Sequence, residues 1–131
     1  MKIACVGYRK WALNIYEDIM NLKGHSFLLI KSEESFDEKK IVDFSPDLIL
    51  FYGWSKKISN NIINNFKCLM LHPSSLPLFR GGSPIQNQII RGIKDSKVSI
   101  FLISEKIDAG DIFCQEYLDL RGSINDIFLR L

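Results

Sequence analysis

The chain alternates short apolar runs with longer segments in which apolar residues recur every three or four positions. Runs of strand length lie at residues 2–6, 26–30, 48–52, 68–71, 98–103 and 113–120. Helical spacing occurs at 11–22, 58–66 and 84–91, whereas 35–44 suits a short polar helix or a loop. The last segment, 123–131, begins an amphipathic helix capped by Ser123 or Asn125. This helix is expected to reach the end of the chain without a C-terminal cap, as in a truncated sequence.

Strand–helix alternation of this kind predicts an α/β fold: a Rossmann-like, mostly parallel twisted sheet with helices on both faces. Parallel strands need crossover connections, which are almost always right-handed. The connection between the last two strands has no room for a helix, so that pair is predicted to be antiparallel. A length of 131 residues suits one domain that covers residues 1–131.

Charge and cysteine content narrow the classes of function. The 17 basic and 15 acidic residues leave a net charge of +2, which gives no reason to expect a polyanionic partner such as nucleic acid. The three cysteines are an odd number without a C-x-x-C pair, which argues against a disulfide framework or a metal site. No signal peptide and no apolar run of membrane-spanning length is visible, so we expect a cytoplasmic protein.

The strongest candidate for chemistry is the histidine in the stretch MLHPSSLPLFRGGSP, residues 70–84. An apolar strand stops at His72, and prolines and glycines then force an irregular loop. In open α/β sheets ligands bind beyond the carboxyl ends of strands. Asp108 and Asp111 follow the next predicted strand. A carboxylate beside an imidazole orients it and makes the pair a proton shuttle for attack by an amine or water, but spacing alone does not separate the two acids.

Two other loops carry charged residues. The turn after the first strand has a single glycine, Gly7, too few for a dinucleotide fingerprint or a phosphate loop, which favours a plain structural turn. Its backbone N–H groups at a helix start are nevertheless suited to an anion, with Tyr8, Arg9 and Lys10 facing the ligand. Arg80, beside two glycines, either clamps an anionic or planar group or lies on the surface.

Four sequence blocks together resemble the folate-dependent formyltransferases, which include glycinamide ribonucleotide, methionyl-tRNA and sugar-nucleotide N-formyltransferases. The blocks are HPSSLP at 72–77, RGG at 80–82, Gly92, and IDAGDI at 107–112. Each is weak alone, but together, in this order, they are specific, and the resemblance covers nearly the whole chain to about residue 120. It implies a formyltransferase-type catalytic domain that transfers a formyl group from N10-formyltetrahydrofolate to a primary amine.

The family's catalytic set is an asparagine, a histidine and an aspartate. The resemblance places the histidine at His72 and the aspartate at Asp108 rather than Asp111. The asparagine position, two residues before the histidine, holds Met70, which has no group to donate to the developing oxyanion. Three alternatives follow. Another donor replaces it (Gln86, Asn87, Gln88 or a loop N–H), protonated His72 acts alone, or the chain is a catalytically impaired folate- or nucleotide-binding relative.

The resemblance also implies where the two ligands lie. The pterin of the folate is expected near the loop after the third strand and just before the DAGD turn, at Tyr52, Gly53, Trp54, Ser55, Ile103, Ser104 and Ile107. The amine-bearing substrate is expected at Tyr8, Arg9, Lys10, Ser74, Arg80, Gly81, Gly82 and Gln86.

The acceptor is expected to be a small molecule, an amino-sugar nucleotide. The run LFRGGSPIQNQII at 78–90 looks most like the sugar-nucleotide branch. A tRNA acceptor is not favoured, because the charge is near balance and no C-terminal β-barrel follows in this sequence. A hydrolase that releases formate from the same folate remains a further alternative, and the oligomeric state stays open.

Overall fold

The fold alternates strands and helices in a computed structural model that describes residues 1–105 and 110–131. Its elements are β1 (Lys2–Val6), α1 (Lys10–Met20), β2 (Ser26–Ile30), α2 (Glu38–Phe44), β3 (Leu48–Phe51), α3 (Asn60–Asn65), β4 (Cys68–His72), α4 (Pro84–Ile90), β5 (Asp95–Leu102), β6 (Ile112–Asp119) and α5 (Ile124–Leu129). The six strands form a sheet in the order β2-β1-β3-β4-β5-β6. None of the helices in the described part of the chain is long and apolar enough to cross a membrane.

The chain divides into two compact units, Met1–Leu69 and Met70–Leu131. In the first unit β1 pairs in parallel with both β2 and β3. Tyr16 of α1 is fully buried, and its hydroxyl lies 2.8 Å from the carbonyl oxygens of both Val6 and Leu50. The same hydroxyl accepts a hydrogen bond of 2.8 Å from the Tyr52 N–H. Burial raises the pKa of Tyr16, so the phenol stays neutral and fixes the carboxyl ends of β1 and β3 side by side.

In the second unit β5 and β6 pair in antiparallel register, which confirms the sequence prediction. Helices α4 and α5 contribute Ile85 and Ile127 to an apolar cluster with two β6-side leucines, Leu118 and Leu120. These contacts bury Leu118 and Leu120 near the end of β6 and support α4.

Helix α5 differs from the sequence expectation at its end. Ser123 caps its start and accepts a 3.1 Å hydrogen bond from the Asp126 N–H, which settles the choice between the two candidate caps. The helix ends at Leu129, so the expectation of an uncapped helix that runs to the end of the chain is wrong. The guanidinium of Arg130 turns back and donates to the Asp119 carbonyl at 2.8 Å, an interaction that helical periodicity does not reveal.

Gly7 permits a close approach between the loops after β1 and β3. A Cβ atom at this position would lie 1.9 Å from the Tyr52 carbonyl oxygen and 3.3 Å from the Tyr16 ring. No side chain larger than hydrogen fits there without moving backbone. The glycine that looked too isolated for a nucleotide fingerprint is therefore required by packing.

We predict that Gly7→Ala lowers the free energy of unfolding by at least about 1–3 kcal/mol, because overpacking against backbone has no cheap relief. Gly82→Ala is the matched control, since a Cβ at Gly82 meets nothing within 4 Å. Urea unfolding followed by circular dichroism measures both. Equal midpoints for the two variants would refute the close approach.

Candidate active site

The loops after β1 and β3 interlock at the carboxyl edge of the first unit. The Tyr8 N–H donates to the Gly53 carbonyl at 3.3 Å, and the Ser55 N–H donates to the Tyr8 hydroxyl oxygen at 3.3 Å. The hydroxyl groups of Tyr8 and Ser55 are also hydrogen-bonded to each other. Gly53 has φ +61°, and a Cβ there would lie 2.7 Å from the Arg9 Cβ. Residues expected at the folate and residues expected at the acceptor thus meet within this unit.

An aromatic cluster lies in the same place. Trp54 contacts the Tyr8 ring edge-on, with ring centroids 5.3 Å apart, and the Phe36 ring at 5.2 Å. Trp54 is 8% exposed, and its buried Nε1–H has no hydrogen-bond partner among the described residues. A buried unpaired donor is unfavourable by about 1–3 kcal/mol, and because this atom is itself buried, a ligand would reach it only if the side chains around it moved. Phe36 escaped the sequence reasoning because it lies in a polar segment.

Basic residues surround the start of α1. The Arg9 guanidinium stacks 5.3 Å from the centre of the Tyr8 ring, and both Arg9 and Lys10 are exposed. No side chain caps the helix N-terminus, and its first turn holds no acidic residue. The positive end of the helix dipole therefore adds to the charge of two exposed cationic side chains. This arrangement is compatible with an anionic ligand group.

His72 closes β4 in the second unit and is 5% exposed. Its Nε2 lies 2.7 Å from the Phe79 carbonyl oxygen. A carbonyl only accepts, so Nε2 carries the proton, and in the neutral ring Nδ1 is the nitrogen with a lone pair for proton uptake. Phe79 adopts a left-handed backbone conformation with φ +57°, unusual for a bulky residue, which turns its carbonyl toward the imidazole.

The loop between β4 and α4 is held by side chains rather than by a strand ladder. Four more of its carbonyl oxygens accept side-chain hydrogen bonds: Pro73 from Gln88 (2.8 Å), Ser74 from Ser99 (2.6 Å), Leu76 from Gln115 (3.3 Å) and Leu78 from Ser74 (2.7 Å). Sequence reasoning missed Ser99 and Gln115, and it considered Gln88 only as an oxyanion donor and not as a support of this loop. The available signal was a polar residue on a buried face, such as Gln88 one turn after Ile85 and Ser99 inside an apolar strand.

Hydrogen bonds also limit which side chains are available to act as the oxyanion donor in place of the family's asparagine, whose position Met70 occupies. Both amide hydrogens of Gln88 are engaged, by the Pro73 and Pro84 carbonyls at 2.8 and 2.9 Å. The Asn87 amide donates to the carbonyls of Gly82 and Ser83 at 3.1 and 3.0 Å. The third side chain considered as a donor, Gln86, is exposed on α4, and its amide is not engaged by any backbone carbonyl of the described residues.

The other predicted acceptor residues differ in exposure. Arg80 and Gly82 are exposed, and Gly81 has φ +93° with open space around its Cβ position. Ser74 is fully buried, and its hydroxyl is engaged within the loop by the Leu78 carbonyl. The loop therefore presents Arg80 and the two glycines outward while Ser74 holds it from inside.

The acidic turn after β5 is described only at its two sides. Ile103 is half-buried and Ser104 exposed just after the strand ends. The Leu102 N–H donates to the Asp111 carbonyl at 2.8 Å, and the Asp111 side chain is exposed. The predicted catalytic Asp108 and the predicted folate residue Ile107 lie outside the described residues, so both assignments stay predictions.

Comparison with known proteins identifies the class. Residues 14–122 match the family model described as Formyl transferase, so the chain belongs to this family. The resemblance and the α/β fold predicted from the sequence are thereby confirmed.

Two relatives are methionyl-tRNA formyltransferases. The structure of the enzyme from Clostridium thermocellum superimposes with a TM-score of 0.91 and 36% identity, over 99% of this chain and 58% of that chain. The enzyme from Finegoldia magna is 32% identical over 126 residues, which are 94% of this chain and 38% of that protein. The chain thus spans about a third of the length of the curated relatives it matches.

A likely sugar N-formyltransferase from Mycobacterium tuberculosis shares the fold. Its TM-score is 0.81 at 20% identity, over 99% of this chain and 60% of that chain. At this identity the likeness speaks to architecture and leaves the acceptor open.

We predict that Tyr8 and Ser55 are energetically coupled by about 0.5–1.5 kcal/mol in a double-mutant cycle of Tyr8→Phe and Ser55→Ala. The reason is that both hydroxyls bond each other and Tyr8 also accepts from the Ser55 N–H. Urea unfolding of the four proteins gives the coupling. Tyr8→Phe combined with Ser59→Ala, which removes the α3 cap, is the control and is expected to be additive.

Proposed function

We propose that this chain transfers a formyl group from N10-formyltetrahydrofolate to a primary amine, with His72 and Asp108 as the proton shuttle. The observation that carries the proposal is the His72 imidazole at the carboxyl end of β4, oriented by the Phe79 carbonyl at 2.7 Å, in a chain of the formyl transferase family. Imidazole is the side chain best suited to moving a proton near neutral pH.

The residues divide the proton transfers as follows. Bound N10-formyltetrahydrofolate would supply the formyl carbon that an amine attacks. The Nε2–H of His72 is engaged by the Phe79 carbonyl. Its Nδ1 takes the proton that the attacking amine loses and returns it to N10 of the folate as that nitrogen departs. Asp108 stabilises the imidazolium that exists between these two transfers.

The first unit supports the folate as donor. The half-buried rings of Tyr8 and Phe36 pack on the buried Trp54 ring. A pterin is a flat heteroaromatic ring, and an aromatic cluster of this kind suits it. Tyr52, Gly53 and Ser55 are the other residues of this unit proposed for the folate, and Ile103, Ser104 and Ile107 stay predictions from the family resemblance.

We further propose that the acceptor is an amino-sugar nucleotide. The net charge of +2 builds no field suited to a tRNA. Arg9 and Lys10 at the uncapped start of α1 suit the phosphates of a nucleotide. The methionyl-tRNA formyltransferases among the relatives make an aminoacyl-tRNA the alternative that the assay must include.

The test is formyl transfer from N10-formyltetrahydrofolate to a panel of amino-sugar nucleotides and a methionyl-tRNA. We expect product with an amino-sugar nucleotide, and a loss of about 10²–10⁴-fold in rate for His72→Ala and for Asp108→Ala, the usual contribution of acid–base catalysis. His25→Ala, at an exposed position, is the control and keeps the wild-type rate.

Each contrary outcome has one meaning. Wild-type rates in both variants, with circular dichroism showing a folded chain, overturn the assignment of the site. Formylation of the tRNA alone overturns the acceptor. Release of formate without any amine identifies a hydrolase.

A second candidate function is that of a folate- or nucleotide-binding relative with impaired catalysis. Met70 is the observation that favours it, because methionine cannot donate a hydrogen bond to the oxyanion. We predict that Met70→Asn raises kcat by about 10²–10³-fold, the usual effect of one oxyanion donor. Met70→Leu is the control and leaves kcat unchanged. An unchanged rate in Met70→Asn would mean that another donor, such as Gln86, already serves.

A further inference from the structure

We propose that Ser99 is a positioning residue for the His72 imidazole, acting through the loop of residues 73–79. The inference rests on the proposed function for its effect on rate, but its effect on the imidazole is measurable without any activity. Ser99 lies in the middle of β5 and is fully buried.

Ser99 uses its whole hydrogen-bonding capacity on the loop and its support. Its hydroxyl donates to the Ser74 carbonyl at 2.6 Å. Its oxygen accepts from the Leu76 N–H at 3.4 Å and from the Gln115 amide at 2.9 Å. One donor and two acceptor sites are all that a hydroxyl has, so this side chain is saturated by fixing the loop.

Ser74 transmits this restraint to both ends of the His72 interaction. Its N–H donates to the His72 carbonyl at 2.9 Å, which holds the histidine backbone. Its hydroxyl donates at 2.7 Å to the carbonyl of Leu78, the residue before Phe79. The Phe79 carbonyl then accepts from Nε2 at 2.7 Å. Ser99 therefore fixes the residue that positions the imidazole and the carbonyl that selects its tautomer.

Removing the Ser99 hydroxyl takes one partner from the Ser74 carbonyl, the Leu76 N–H and the Gln115 amide. The Leu76 N–H keeps its 3.0 Å hydrogen bond to the Ser74 carbonyl, and the Gln115 amide keeps the Leu76 carbonyl at 3.3 Å. The loop is expected to shift onto these remaining bonds, and the Phe79 carbonyl moves with it. The Nε2–H tautomer of His72 then loses its preference, and Nδ1 carries the proton in part of the molecules. Those molecules have no lone pair at the nitrogen assigned as the base.

The experiment reads the imidazole directly by long-range proton–nitrogen NMR of ¹⁵N-labelled protein. The chain has only two histidines, and His25→Asn assigns the signals. Wild type is expected to show His72 protonated at Nε2, and Ser99→Ala a mixture of both tautomers. In the same variant kcat falls at least about tenfold with KM within about twofold, since small misplacements of catalytic groups reach 10²-fold in rate. Ser99→Thr, which keeps the hydroxyl, restores both.

Ser123→Ala is the matched control. This serine caps α5 through the Asp126 N–H at 3.1 Å and lies away from the loop bonds described above. Its loss lowers stability and is expected to leave the His72 signals and kcat as in wild type. Should Ser99→Ala not fold, Gln115→Met removes the donor to Ser99 and to the Leu76 carbonyl and is expected to shift the tautomers in the same direction.

Wild-type imidazole signals in Ser99→Ala overturn the inference, whatever happens to the rate. So does a tautomer change that leaves kcat unaltered. If no protein in the series transfers a formyl group, the proposed function fails, and the imidazole spectra still decide whether Ser99 selects the tautomer.

Discussion

The second unit depends on one constraint: the buried carbonyl oxygens of the loop after β4 need hydrogen-bond donors. Prolines at 73, 77 and 84 prevent this segment from joining a ladder, yet much of it is buried. Buried carbonyls must find donors, and here side chains supply them from α4, β5, β6 and the loop itself. His72 is one of these donors. The imidazole proposed for proton transfer is thus also part of the scaffold, because its Nε2–H is held by the Phe79 carbonyl.

In the first unit the main constraint is the close approach of the loops after β1 and β3. Gly7 leaves room for the Tyr52 carbonyl, and Tyr16 bonds the last residues of β1 and β3. The result is an aromatic cluster around Trp54 whose indole N–H lacks a partner in the described chain. The packing of Trp54 against Tyr8 and Phe36 therefore outweighs the unfavourable burial of this unpaired N–H.

The sequence reveals the order of elements well, because each buried strand is a separate apolar run. Strand β2 begins and ends where its pattern predicts, and β5 begins at Asp95, three residues before the predicted start, since its first residues are polar. The end of α5 depends on the Arg130 side chain and was missed. His72 could be proposed because it lies at the end of the apolar β4 run, and its role stays a prediction. Ser99 and Gln115 could not be linked to its loop, because hydrogen bonds across 25 and 39 residues leave no local pattern.

The engaged loop carbonyls have a consequence for protein engineering. HPSSLP reads as a portable motif of six consecutive letters, but its conformation is assembled from partners such as Gln88, Ser99 and Gln115 that lie 15, 25 and 39 positions from the carbonyls they bind. A graft of the six residues onto another α/β scaffold would carry the imidazole without the donors that orient it. Transplanting this chemistry means transplanting a hairpin and a helix face along with the loop.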